Sequence, residues 1–188
     1  KRRFAYFLKN PYKTFDMVCF TAYINLIGAV KSYAREVKSY DPGILTVVGG
    51  VHAEVVPTDF VCPEIDHILW ANGIDTLCRI ARGERSPDGV FIPGKTTKPL
   101  PLCDELPFPD RSITARYRDK YNYIYHNRCA TIKTSYGCPY RCTFCFCTRI
   151  SNYRVRPLDS VMDELEAISE NNVFIVDDDF LFDRDRLT

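Results

Sequence analysis

The sequence predicts an α/β chain whose first part is an open, doubly wound parallel sheet and whose second part is a further strand–helix–strand unit. Three observations carry this reading. Short apolar runs of strand length alternate with amphipathic helical stripes over residues 15–84, a proline-rich stretch breaks the alternation over 85–127, and the alternation resumes over 128–188. Strands separated by helices pair in parallel through right-handed crossovers, which gives the layered α/β arrangement.

The first strand is "FDMVCFTA" at 15–22, a run rich in residues that suit a sheet buried on both faces. Ile27, Val30, Ala34 and Val37 then recur at three- and four-residue steps, the stripe of an amphipathic helix. "DPG" at 41–43 stops that helix, because proline disfavours helix in the residue before it and glycine tolerates positive φ. "ILTVVGG" at 44–50 is the second strand, "VHAEVVPTDFVC" a loop with a weak helix, "IDHILWA" at 65–71 the third strand, and "DTLCRIARGE" at 75–84 a helix closed by Gly83.

From Arg85 to about Asn127, prolines at 87, 93, 99, 101, 107 and 109 and scattered tyrosines mark a linker. Within it Leu106 and Phe108 are apolar enough to be expected against a surface. The second unit opens at "CATIKTSYGC", where Ala130, Ile132 and Thr134 alternate with polar neighbours, and runs into a loop. After the loop, "PLDSVMDELEAISENN" is a helix capped by Asp159 or Ser160 and buried along Val161, Leu165 and Ile168, and "VFIVDDDFLF" is the closing strand. The expected organisation is thus 1–84, a linker over 85–127, and 128–188.

Composition bounds the function. With 25 basic and 24 acidic residues well mixed, there is no electrostatic case for nucleic acid or an anionic membrane, and "KRRF" at the start reads as a solvated end. No run approaches the roughly 18 apolar residues of a membrane span, and no signal peptide is recognisable, so a cytoplasmic, soluble protein is expected. Nine cysteines would suit a disulfide scaffold poorly: the number is odd, and four are bunched in one segment.

That segment is "SYGCPYRCTFCFC" at 135–147. Cys138, Cys142 and Cys145 form C-x3-C-x2-C, in which three thiolates can turn to one centre from a single loop. Structural zinc sites usually draw paired cysteines from two knuckles, so a zinc reading must recruit Cys147 into one crowded loop. A 4Fe-4S cluster held by three cysteines keeps one iron open to a substrate or cofactor. A ferredoxin-like or zinc-binding protein is the non-enzymatic alternative.

"GCPYRCTFC", with Phe144 directly before the last cysteine, resembles the cluster loop of the radical S-adenosylmethionine (radical SAM) enzymes. The likeness extends through "YRVRP", the "DELEAI" helix and the strand ending in "DDDF", which follow the start of that family's βα partial TIM barrel. It implies a 4Fe-4S cluster on Cys138, Cys142 and Cys145, with S-adenosylmethionine chelating the fourth iron and being cleaved reductively to a 5'-deoxyadenosyl radical. It implies that Phe144 sits near the adenine, the plainer reading being an aromatic packed under the loop. One of Asp177, Asp178 and Asp179, at the end of a parallel strand, would approach the amino group of S-adenosylmethionine, where many members carry a Gly-Glu pair; helix capping is the alternative. Arg154 and Arg156 could meet a carboxylate or be solvated, and Cys147 exceeds the pattern as a spare thiol.

The first part resembles the Rossmann-like domain of cobalamin-binding radical SAM proteins. "VVGGVHAEVVP" is similar to their Gly-Gly-x-His segment, and "IDHILWANGIDTL" stands where they carry an acidic segment whose glutamates are lost here. The likeness implies cofactor contacts at Gly49, Gly50 and His52, although two glycines after a strand are also an ordinary turn. Cobalt-ligating domains use Asp-x-His-x-x-Gly, which is absent from these 188 residues, so His52 is read as shaping its loop, with His67 and His126 as surface or packing residues. The implied activity is a cobalamin-dependent radical SAM methyltransferase acting on an unactivated carbon of a small-molecule substrate or metabolite, reduced by a flavodoxin or ferredoxin. A radical SAM enzyme with a vestigial first domain is the variant reading. By the same likeness, the chain is expected to be a fragment, with strands missing before Lys1 and βα units missing after Thr188.

Overall fold

The computed structural model describes residues 15–95, 107–150 and 152–187. The chain divides into two compact units, Lys1–Leu102 and Cys103–Thr188. "KRRF" and Leu106 lie outside the described residues.

In the first unit, β1 (Met17–Thr21), β2 (Leu45–Gly49) and β3 (His67–Ile68) form a parallel sheet in the order β1-β2-β3. Met17 lies opposite Leu45 and Thr21 opposite Gly49, so β1 and β2 end level. The mixed α/β class and the parallel pairing are as expected. The sheet follows chain order throughout, so the reversal that makes a sheet doubly wound is not among the described residues.

Both faces of β2 are covered, which is why its apolar run does not alternate. Val48 belongs to a core with Val30, Ala34, Phe60, Ile68, Trp70 and Phe91, while Val47 packs on the other face with Leu69, Ile80 and Val90. Each such side chain contributes roughly 1.5–3 kcal/mol by leaving water. Helix α1 (Ile27–Tyr40) buries Val30, Ala34 and Val37, the stripe its spacing predicts. It ends at Asp41, whose N–H donates to Val37 O, and the Asp41 carboxylate then accepts from Gly43 N at 2.8 Å. A short helix α2 (Val51–Val55) and a 3-10 turn (Pro57–Phe60) fill the stretch read as a weak helix.

Strand β3 is shorter than "IDHILWA" because its second half pairs elsewhere. Leu69 forms an antiparallel bridge with Val90, Trp70 N donates to Gly89 O at 3.0 Å, and Phe91 N donates to Ile68 O at 2.8 Å. A Cβ on Gly89 would stand 1.9 Å from Thr76 Oγ1, so only glycine passes there. The start of the compositional linker is therefore packed into the first unit, with Pro87 fully buried. Helix α3 (Gly73–Ala81) begins two residues before the sequence suggests, and Gly83 closes it at φ +93° with its N–H on Ile80 O.

In the second unit, a 3-10 segment (Arg111–Lys120) is capped by Asp110, which accepts from Ser112 N at 2.9 Å. It leads into a hairpin of β4 (Asn122–Tyr123) and β5 (His126–Asn127). Phe108 is 43% exposed, contrary to the expectation that it is buried; it lies beneath the Arg156 guanidinium at 5.8 Å. Strand β6 (Cys129–Ile132) pairs in parallel with β9 (Asn172–Ile175), Ile132 opposite Ile175. Between them lie β7 (Ser135–Tyr136), α4 (Cys147–Ile150), β8 (Arg154–Val155) and α5 (Leu158–Glu166). Helix α5 starts after Pro157 with no side-chain cap, so Asp159 and Ser160 fall inside its first turn rather than at its cap. Its buried positions are Val161 and, unexpectedly, Glu164. Among the described residues no helix is long and apolar enough to cross a membrane.

Candidate functional site

The cysteine loop leaves the β6–β9 ladder and returns through a short antiparallel stem, with Ser135 opposite Val155 and Tyr136 opposite Arg154. Gly137, at φ +69°, makes the turn out of the stem immediately before Cys138. Both ends of the loop are therefore held by the same pair of strands. Arg154 also stacks its guanidinium on the Tyr136 ring at 4.7 Å, closing the stem on a cation–π contact.

The chain entering the stem is held from three directions. Arg111 Nη2 donates to Thr131 O at 3.0 Å, Arg156 Nη1 to Lys133 O at 2.7 Å, and Arg186 Nη2 to Thr134 O at 3.4 Å. Arg156 and Arg111 converge on the buried Glu164 carboxylate, each at 2.7 Å and each on a different oxygen. Asp177, just past β9, accepts from Thr134 N at 2.6 Å, Thr134 Oγ1 at 2.5 Å and Ser135 Oγ at 2.9 Å. Arg156 is thus no solvated arginine, and Asp177 caps no helix: both brace the root of the loop.

Within the loop, Cys138, Cys145 and Cys147 are half-buried and Cys142 is exposed. Cys145 N donates to Cys142 O at 3.0 Å, bringing these two positions into one tight turn. Burial, hydrogen bonding with Cys145 and the Asp178 charge push the Cys147 thiol up to about 12. Asp178 also receives Lys133 Nζ at 3.3 Å and lies against the Cys147 thiol, whereas Asp177 is turned to Thr134 and Ser135. Phe144 is 91% exposed, which overturns the reading of an aromatic packed under the loop. Cavities of about 400 and 530 Å³ lie along the Arg111–Lys120 segment and the bottom of β6 and β9; no cysteine of the loop lines either.

Three thiols within eight positions have the donor chemistry of an iron–sulfur site, and the described cysteines are all free. Among the described residues no group of three or more Cys, His, Asp or Glu side chains is already arranged around one metal position. The loop carries the three thiols, and its stem fixes where it starts and stops.

In the first unit, Gly49 ends β2 and Gly50 follows it, at the carboxyl ends of the strands. Gly50 has φ +92°, and a Cβ there would stand 2.6 Å from Thr21 Oγ1 and 3.0 Å from Ala22 N. A Cβ on Gly49 would make ordinary contact with Leu69 at 3.5 Å. The glycine at 50 is therefore demanded by the neighbouring end of β1. His52 is 8% exposed, holds Asp59 Oδ2 through Nε2 at 2.7 Å, and packs its ring edge-on against Phe60. Its imidazole fastens α2 to the 3-10 turn, the loop-shaping role read from the sequence. His67 is half-buried and His126 exposed.

No protein-family model matches the chain. The chain is 32% identical over 180 residues to a hopanoid C-3 methylase of Methylococcus capsulatus, an alignment covering 87% of this chain and 34% of that enzyme. It is 29% identical to a 2-(S-pantetheinyl)-carbapenam-3-carboxylate methyltransferase of Streptantibioticus cattleyicolor, over 88% of this chain and 28% of the enzyme. It is 27% identical to an anaerobic magnesium-protoporphyrin IX monomethyl ester cyclase of Rubrivivax gelatinosus, over 81% and 31%. The chain thus spans about a third of the length of these curated relatives. These relatives are radical SAM enzymes, and the chain is similar to them over most of its own length.

Proposed function

We propose that this chain is part of a radical SAM enzyme in which Cys138, Cys142 and Cys145 hold a 4Fe-4S cluster. The carrying observation is the C-x3-C-x2-C loop closed by the β7–β8 stem, on a chain similar to two methyl-transferring enzymes and a cyclase. When bound, the cluster supplies the electron that cleaves S-adenosylmethionine to methionine and a 5'-deoxyadenosyl radical. The chain's own residues present three thiolates, hold the loop's root through Asp177, Arg111, Arg156 and Arg186, and offer the exposed Phe144 ring as a face for an adenine. Asp178, which already receives Lys133 Nζ at 3.3 Å, is the carboxylate read as meeting the ammonium group of S-adenosylmethionine.

The reading extends to organisation: residues 1–84 as a Rossmann-like cobalamin-binding-type domain, onto which the start of the 85–127 stretch is packed, the remainder of 85–127 as the linker region, and 128–188 as the first βα units of a radical SAM barrel. Cobalamin, when bound, supplies a methyl carrier, and the proposed reaction is methylation of an unactivated carbon of a small molecule, with a flavodoxin or ferredoxin as reductant. Anaerobic reconstitution of the full-length protein tests the cluster. About four irons per chain and S-adenosylmethionine cleavage, both lost in Cys142→Ala, support it; one tightly held zinc refutes it.

A second reading keeps the cluster and makes the first unit a structural module without cobalamin. It is favoured by two observations: Gly50 is explained by Thr21 and Ala22, and His52 is committed to Asp59. Cobalamin absorbance retained by the full-length protein after desalting decides between the two.

A further inference from the structure

We infer that Asp177 is the positioning residue of the cysteine loop: its carboxylate locks the strand that enters the loop and is not a ligand contact. This rests on the reading of the loop as a cluster site.

The argument begins with register. β9 and β6 pair in parallel up to Ile175 and Ile132, and Val176 N continues the ladder to Ile132 O at 2.9 Å. Asp177 therefore arrives beside the place where the other strand leaves the ladder to turn into β7. There its Oδ1 accepts from Thr134 N at 2.6 Å, and its Oδ2 from Thr134 Oγ1 at 2.5 Å and Ser135 Oγ at 2.9 Å. Thr134 and Ser135 are 6% and 3% exposed, so without the carboxylate these buried donors lose their partner away from water. Charge-assisted bonds of this kind are the short, strong ones.

Both carboxylate oxygens thus point at the root of the loop, and Cys138 follows Thr134 by four positions. Asp178, one residue on, turns instead to Lys133 and Cys147. Adjacent carboxylates divide the work: Asp177 fixes the entering strand, and Asp178 faces the Cys147 thiol. The resemblance alone treats them as equivalent candidates for one ligand contact; their hydrogen bonds separate them.

The test uses the full-length protein with Asp177→Ala, Asp177→Asn and the double variant Thr134→Val/Ser135→Ala, which removes the donated hydroxyls while keeping the carboxylate. Three readouts are taken: amide hydrogen exchange over residues 134–138 in the apo protein, iron per chain after anaerobic reconstitution, and S-adenosylmethionine affinity of the loaded fraction. Loss of the clip speeds exchange by roughly tenfold or more in Asp177→Ala and in the double variant. Both variants hold less iron than wild type, Asp177→Asn falls between because its amide oxygen still accepts from Thr134 N, and affinity per loaded cluster changes less than about twofold throughout. Wild-type iron with a roughly tenfold loss of S-adenosylmethionine affinity in Asp177→Ala overturns the inference in favour of a ligand contact. Wild-type exchange in the double variant overturns it as well. If wild-type protein takes up no iron, the cluster reading falls, and the exchange arm still decides whether Asp177 holds the strand.

Discussion

Arg156 Nη1 meets Glu164 Oε2 at 2.7 Å, and that glutamate is 2% exposed. Its other oxygen takes Arg111 Nη2 at 2.7 Å, so one buried carboxylate joins a residue from before β6 to one from after the loop. Removing one partner of a buried ion pair strands charge away from water. Glu164→Gln is expected to destabilise the protein by about 3 kcal/mol, read as a lowered urea midpoint by circular dichroism. A midpoint at the wild-type value would show that the carboxylate's charge is not needed there.

Gly50 offers a test of the turn after β2. At φ +92°, with Thr21 Oγ1 2.6 Å from the Cβ it lacks, Gly50→Ala is expected to cost roughly 1–3 kcal/mol. Adding Thr21→Ala should recover part of the loss, since the side-chain clash goes while Ala22 N and the positive φ remain. Full recovery would mean that the backbone conformation itself carries no strain.

His52 and Asp59 are expected to act as a pair in holding α2. Asp59→Ala leaves a buried imidazole nitrogen without its 2.7 Å partner, costing roughly 1–3 kcal/mol. Asp59→Ala should also speed amide exchange over residues 51–60. Unchanged exchange would mean that the Phe60 contact suffices to seat the ring.

Asp66 sets an acid dependence for the first unit. Partial burial works to raise its carboxyl, but Lys38 Nζ at 2.7 Å, Thr46 N at 2.7 Å and Thr46 Oγ1 at 2.9 Å together hold it below the ordinary value. Because the folded value is the lower one, this contribution is complete above the unfolded-chain value of about 3.9 and is lost as pH falls through the folded value. Asp66→Asn should therefore be less stable than wild type at pH 7, with the gap closing as the solution is acidified. A gap that stays constant down to the acid limb would sink the assignment.

Cys147 should be dispensable for iron. Cys147→Ser is expected to retain the iron content of the wild-type full-length protein under anaerobic reconstitution, whereas Cys138→Ser loses it. Loss of iron in Cys147→Ser would make it a fourth ligand and bring back the zinc-like arrangement.

The elements that were legible in the sequence are those built from neighbours along the chain. β1, α1 and β2 announce themselves because Val30, Ala34 and Val37 repeat at helical steps, and because Val47 and Val48 fill opposite faces of one sheet. The cysteine loop was legible for the same reason: its spacing is local. The β7–β8 stem was not, since each strand is two residues long and the partners lie 18 or more positions apart. Glu164 is absent from the Val161, Leu165 and Ile168 stripe by which the sequence marks that helix's buried face; its partner Arg111 lies 53 positions away. Asp177 was recognised as a candidate, but its partners lie 42 and 43 positions back, so its role could not be read from its own segment.

The arginine donations to Thr131, Lys133 and Thr134 carry a thermodynamic consequence for the metal uptake proposed above. Ordering a residue's backbone costs roughly 1–2 kcal/mol in conformational entropy. Where strands, stem and carbonyls are already fixed by protein contacts, that cost has been met during folding. What remains for a metal to organise is the excursion between Gly137 and Cys147, so its binding free energy is drawn down by about ten residues rather than by the whole unit.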